Sequence, residues 1–138
     1  MQILIDTNIL MDYFLSREPD CETSRAVINL CTQKKIEGHL AAHTITNLFY
    51  ILRRDFTLEA RRVILADLFR YFEIESIDAK KLLSALLQDD FKDFEDCLQD
   101  ECAAAVGADY IVTRNVKDFE GGKIPAVTPE DFLKIYGG

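Results

Sequence analysis

Apolar and polar positions fall into two rhythms along this chain. Ile3, Leu4 and Ile5 form an unbroken apolar run and predict a buried strand over 2–5. Further strands are predicted at "HLAA" (39–42), at "FEIESI" (72–77), over 110–113 and, as a short last strand, near Ala126. Between them the period lengthens to that of a helix. A short helix is expected over 8–14. A longer one starts at Asp20 or Thr23 and runs to about Lys35, with Ala26, Val27, Leu30 and Cys31 at helical spacing and Gly38 as its stop. Thr44 is expected to cap a helix whose Ile45, Leu48, Phe49 and Leu52 form an i, i+3, i+4, i+7 stripe. Thr57 opens the next helix, with Ile64, Leu65, Leu68, Phe69 and Phe72 on one face, and Asp78 caps one carrying Leu82, Leu83, Leu86 and Leu87. After a loop, a helix over 93–106 ends at Gly107, and Phe94, Leu98, Cys102 and Ala105 make its core stripe. Thr128 before Pro129 is a well-formed start for a final helix.

Strands that alternate with helices through short connections predict an α/β fold. The expected form is a three-layer α/β/α sandwich around a central, mainly parallel sheet, built as a single domain over 1–138. In such sheets ligands bind at the carboxyl ends of the strands, where the strand order reverses.

Composition narrows this picture. A chain of 138 residues that is 49% hydrophobic and 29% charged suits one domain with a real core. No apolar run approaches the roughly 18 residues of a membrane span, and no signal peptide precedes the first strand, so a cytoplasmic protein without a membrane partner is expected. The four cysteines contain no CxxC pair and lie far in sequence from His39 and His43, which favours reduced, mostly buried thiols over a zinc site. His39 and His43 read as packing or hydrogen-bonding residues. The net charge of −8 argues against non-specific nucleic-acid binding. It does not exclude a nucleic-acid enzyme, because carboxylates that hold metal ions add to the same total.

The acids are not spread evenly. Asp6 ends the first strand, where a carboxylate is expensive without partners. Thr113, Arg114 and Asn115 end the fourth strand, with Asp118 just beyond, and a parallel sheet puts both ends on one edge. Asp93, Asp96 and Asp100 share a helix face by their i, i+3, i+7 spacing. Between 89 and 102 there are seven acids and one base, Lys92. A solvated helix face is the plain alternative for this run, a helix cap for Asp6, and a surface or cap position for Asp12. The combination is more specific than its parts, because Asp6, Asp96 and Asp118 would give a hard cation such as Mg²⁺ or Mn²⁺ the oxygen ligands it requires.

These motifs, "LIDTNILMD" (4–12), "DFEDCLQDECA" (93–103) and "IVTRNVKDF" (111–119), resemble those of PIN domains, the nuclease fold found in many bacterial toxins of toxin–antitoxin pairs. The resemblance spans essentially the whole chain. It implies acids around one or two Mg²⁺ or Mn²⁺ ions, RNA as substrate, an antitoxin protein as partner and a homodimer. Carried over, the family's first, third and fourth acids fall on Asp6, Asp96 and Asp118. Thr7, Asn8, Thr113 and Asn115 become polar support for ligands or substrate phosphate. The family's second acid, a glutamate, is replaced by Asn47, and Asp93 is the residue placed to restore its charge. The resemblance is therefore to a subgroup with asparagine at that point.

Three functions follow. The first is a metal-dependent ribonuclease with Asp6, Asp96 and Asp118 as catalytic metal ligands and Asp93 beside them. Arg53, Arg54, Arg61, Arg62, Arg70 and Arg114 are then the expected phosphate contacts. The second, motivated by Asn47, is an inactive PIN domain that binds protein or RNA, with an apolar antitoxin segment lying beside the helices of 43–72. The third is a receiver-like phosphotransfer domain, for which Lys117 is the only nearby lysine.

Overall fold

The computed structural model describes residues 1–91 and 93–138. Lys92, the single base of the acidic run and part of the expected loop, lies outside the described residues. The strands are β1 (Gln2–Ile5), β2 (Glu37–Ala41), β3 (Glu73–Glu75), β4 (Tyr110–Val112) and β5 (Ala126–Val127). They pair in the order β3-β2-β1-β4-β5, and every pairing is parallel. The helices are α1 (Thr7–Leu15), α2 (Cys21–Thr32), α3 (Ala42–Ile51), α4 (Leu58–Tyr71), α5 (Ala79–Leu86), α6 (Phe94–Val106) and α7 (Pro129–Gly137). The order reverses between β1 and β4, which is the place where a parallel sheet opens a crevice at its carboxyl edge.

The two-residue period of β1 explains the three layers. Ile3 and Ile5 enter a core shared with α1, α2, α3, α4 and α7, while Leu4 enters a second core against Cys102 and Ala103 of α6. Each such side chain contributes about 1.5–3 kcal/mol when fully buried. A strand with core on both faces must be apolar throughout, as 3–5 are. The four cysteines are free and buried, and burial pushes the thiols of Cys31 and Cys102 up to about 12.

Helix starts follow the sequence closely. Thr57, Asp78, Asp93 and Thr128 each accept a hydrogen bond from the backbone N–H three residues on, at Ala60, Lys81, Asp96 and Asp131. Gly107 ends α6 at φ 69°, in the left-handed region.

Several details differ from expectation. Gly38 does not stop a helix. α2 ends at Thr32, the chain turns at Lys34 with φ 59°, and Gly38 lies inside β2. A Cβ there would stand 2.7 Å from Cys31 Sγ and 2.7 Å from the Phe72 ring, so close packing and not helix termination selects glycine. Thr44 is not a cap either: α3 begins at Ala42, and Thr44 is buried with its hydroxyl 3.0 Å from Thr7 Oγ1, tying α3 to α1. The apolar faces of α4 to α6 are only partly covered. Phe69, Leu82, Leu83, Leu86, Leu87 and Phe94 are exposed, and so is Ala105. Helical period marks a stripe; it does not say how much of the stripe the fold covers.

Gly38→Ala is expected to destabilise the fold by about 1–3 kcal/mol through overpacking. Urea denaturation should show a lower midpoint with an unchanged slope.

Candidate active site

The Asp6 backbone N–H bonds Val112 O at 3.0 Å, one step beyond the β1–β4 ladder. Asp6 occupies the N-cap position of α1, yet its side chain caps nothing. The carboxylate turns inward instead and is 5% exposed. Gln99 Nε2 donates to Oδ1 at 2.7 Å and Thr113 Oγ1 donates to Oδ2 at 2.7 Å. Burial pushes this carboxyl above its ordinary range, and the Gln99 and Thr113 hydrogen bonds pull the other way. The Thr113 hydroxyl also accepts from Asn115 N at 3.0 Å, which orders the chain just before the 3-10 helix Val116–Phe119 that carries Asp118.

α6 supplies the facing wall. Asp93 caps it by accepting from Asp96 N at 2.9 Å. Asp96, one turn inside, is half-buried, and its carboxyl is pushed up to about 7 by burial first and then by the charges of Asp6, Asp93, Asp118 and Glu95. Asp6, Asp93, Glu95, Asp96 and Asp118 line one open cleft of about 480 Å³, and no lysine or arginine is among its described lining residues. Thr7, Asn8, Asn47 and Asn115 line it too.

At Asn47 the structure adds a partner. Asn47 Nδ2 donates to Glu95 Oε2 at 3.0 Å, and His43 Nε2, one turn earlier on α3, donates to the Glu95 carbonyl at 3.1 Å. Burial lowers the His43 pKa, so near neutral pH this ring is uncharged. A carboxylate thus stands against the amide that takes the place of the expected second acid. It comes from α6 and not from α3.

Other expected residues are employed elsewhere. Asp100 faces away from the cleft, fully buried, and accepts from the N–H groups of Lys123 and Ile124 at 3.0–3.2 Å. It holds the turn before β5. Asp12, expected at the surface or as a cap, is 1% exposed, with Arg114 Nε 2.7 Å from its Oδ2 in an ion pair off the axis of a hydrogen bond. Arg114 is therefore a counter-ion under α1 before it is a phosphate contact. Arg61 donates to Phe49 O at 2.6 Å and lies over the Phe49 ring, and Arg70 pairs with Asp67.

The cleft's donors are hard oxygens, as Mg²⁺ and Mn²⁺ require. Two amide oxygens of lining residues, Asn8 Oδ1 and Gln99 Oε1, are buried without a partner among the described residues. Such acceptors are costly unless something positive meets them. In chemistry the set fits a divalent cation. In geometry, among the described residues, no three His, Cys, Asp or Glu side chains stand together closely enough to hold one. Asp6 is committed to Gln99 and Thr113, and Asp93 to the Asp96 amide.

Residues 2–117 match the PIN domain family. The chain belongs to that family. A comparison with curated proteins finds no match. Solved structures share its fold. A toxin–antitoxin complex from Klebsiella pneumoniae superposes with a TM-score of 0.69 at 22% identity, covering 92% of this chain and 97% of that one. VapBC2 from Rickettsia felis, bound to a DNA fragment from its promoter, gives 0.68 at 21% identity, covering 93% and 98%. VapC20 of Mycobacterium tuberculosis, a Sarcin-Ricin loop cleaving toxin, gives 0.63 at 17% identity, covering 79% and 86%.

Sequence reading of this PIN domain passed over Gln99 and Glu95. Gln99 is three residues after Asp96 and so lies on the cleft face of α6, a signal present in the spacing. Glu95 was counted only among the acids. Its pairing with Asn47 depends on where α3 meets α6, and no local pattern records that.

Asp96 has a folded-state pKa above its ordinary value. It therefore contributes stability below about pH 4 that is lost as pH rises through about 7. Asp96→Asn is expected to leave stability near pH 4 little changed and to raise it at pH 8 in metal-free protein, as read from melting temperatures of both proteins across that range. Arg114→Ala leaves Asp12 buried without its cation and should destabilise the fold by about 3 kcal/mol. A urea midpoint equal to wild type would return Arg114 to the solvent-facing role.

Proposed function

We propose that this PIN domain is a metal-dependent endoribonuclease of the toxin type. The observation that carries the proposal is the convergence of Asp6, Asp96 and Asp118, from three distant segments, on one cleft whose described lining has no cation. The cleavage activity is carried over from VapC20, and an antitoxin partner from the toxin–antitoxin complexes that share the fold. The expected homodimer and cytoplasmic location belong to the same proposal.

Asp6, Asp96 and Asp118 would offer carboxylate oxygens to Mg²⁺ or Mn²⁺ with waters completing the shell, since no three of the described acids stand close enough to enclose an ion alone. Asp93 and Glu95 would add negative charge. The ion would supply Lewis acidity to an attacking water and to the leaving oxygen of a phosphodiester. The chain's own part is positional. Gln99 and Thr113 hold the Asp6 carboxylate in one orientation, so no reorganisation is needed when charge arrives. A carboxyl pushed up to about 7, as at Asp96, would give up its proton to bind a cation near neutral pH, so metal affinity is expected to strengthen as pH rises through that value. Asn47 fixes the Glu95 carboxylate at the rim. No side-chain nucleophile is required.

A second reading, a PIN domain that binds without cutting, is favoured by one observation: the position of the second acid holds an amide, and the charge reaches it only through Glu95. The two readings separate cleanly. Incubation of labelled RNA with Mn²⁺ should give cleavage by the wild type. Asp6→Asn and Asp96→Asn should lower the rate by at least about 100-fold, since even residues that only support metal ligands commonly cost 10–100-fold. Equal cleavage by all three proteins, or none by the wild type, favours the binding module.

A further inference from the structure

We propose that Tyr50, together with Arg17, Arg53 and Arg54, forms a docking site for one unpaired nucleotide beside the scissile phosphate. This rests on the ribonuclease reading. Tyr50 lies in the last turn of α3, lines the acidic cleft and is 63% exposed. It is also clamped. The Arg53 guanidinium lies over its ring at 3.8 Å, and Arg53 Nη1 donates to Tyr50 O at 2.9 Å. An aromatic ring fixed on one face and open to solvent elsewhere is a stacking platform; packing would have buried it.

Beyond the ring lies a second cleft, of about 600 Å³, lined by Arg17, Arg53 and Arg54, with Asp55 as the one acid among its described lining residues. Ile51 borders both clefts. The order along the surface is therefore acids, aromatic ring, arginines. Arg17 comes from the turn after α1 and the other two from the 3-10 helix Leu52–Arg54 after α3, so two separate segments build the basic cleft. On a chain of net charge −8 this concentration stands out. Neither Arg17 nor Arg54 forms an ion pair among the described residues, whereas Arg70 and Arg114 are paired with acids.

The chemistry selects the occupant. Guanidinium groups bind phosphate in a planar fork, and a ring face stacks on a base of any identity. A base offers a face only when it is unpaired and unstacked, so the site fits single-stranded or loop RNA and excludes a regular duplex.

The test uses the full chain and two readouts. Anisotropy of a labelled seven-nucleotide RNA, in EDTA, gives affinity without cleavage; Mn²⁺-dependent kinetics give KM and kcat. Tyr50→Ala is expected to raise Kd and KM roughly tenfold with kcat little changed, and Tyr50→Phe to restore both, because stacking needs only the ring. The Arg17→Ala, Arg54→Ala double variant should weaken binding and flatten the salt slope by about 1.4, or about 0.7 per single-strand phosphate contact. The same sequence locked in a duplex should bind the wild type more weakly than the single strand. The platform is overturned if the wild type cleaves RNA while Tyr50→Ala keeps its Kd and KM. It is also overturned if these variants lose only the binding of a protein partner. A wild type that binds the single strand through Tyr50 but never cleaves it supports the platform and defeats the nuclease reading.

Discussion

A carboxylate buried at the end of a core strand must be given donors, and the constraint at Asp6 organises this molecule. Its donors come from Gln99 on α6 and Thr113 after β4, so one side chain ties the first strand to segments 93 and 107 residues further on. Removing either donor would leave charge or an orphaned acceptor in the interior, at a cost of about 1–3 kcal/mol. The parallel pairing of β1 with β4 brings Thr113 into reach, through Ile3–Tyr110, Leu4–Ile111 and Ile5–Val112, and the packing of α6 on β1 brings Gln99. Fold and site are thus one arrangement seen at two scales.

Electrostatics sorts the remaining charged groups into distinct tasks. Asp100 and Asp12 look like members of the acidic cluster by composition, yet each is spent on structure. One holds a turn by its backbone amides and the other neutralises Arg114. The cleft keeps Asp6, Asp93, Glu95, Asp96 and Asp118, and burial together with the neighbouring charges pushes up the carboxyl of Asp96. The arginines divide similarly. Arg61 is bound to the carbonyl and ring of Phe49, whereas Arg17, Arg53 and Arg54 line the cleft beyond Tyr50.

Much of this was legible in the sequence. The apolar run at 3–5, the alternation of strands and helices, and the helix starts at Thr57, Asp78 and Thr128 depend on local rules, and the structure follows them. So does the placing of Asp6 and Thr113 on one edge, because a parallel sheet collects strand ends there. What escaped depends on contacts between distant segments. Gly38 looks like a helix stop until Cys31 and Phe72 are seen on either side of it. Asp12 looks like a surface acid until Arg114 arrives beneath α1. The exposed leucines of α5 share the period of buried ones, and only the packed structure separates the two. Glu95 and Asn47 are opposite members of a pair that neither helix announces alone.

The β1–β4 pairing also has a consequence in time. A polypeptide is made from its amino end, and Asp6 emerges 107 residues before Thr113. Thr113, Asn115 and Asp118 come later, and β4 must be complete before β1 has its second neighbour in the sheet. Until then Asp6 lacks one of its two donors and the cleft lacks a wall. A chain made only as far as α6 therefore carries Asp6, Asp93 and Asp96 without the arrangement, and the cleft comes into being only once Asp118 has followed.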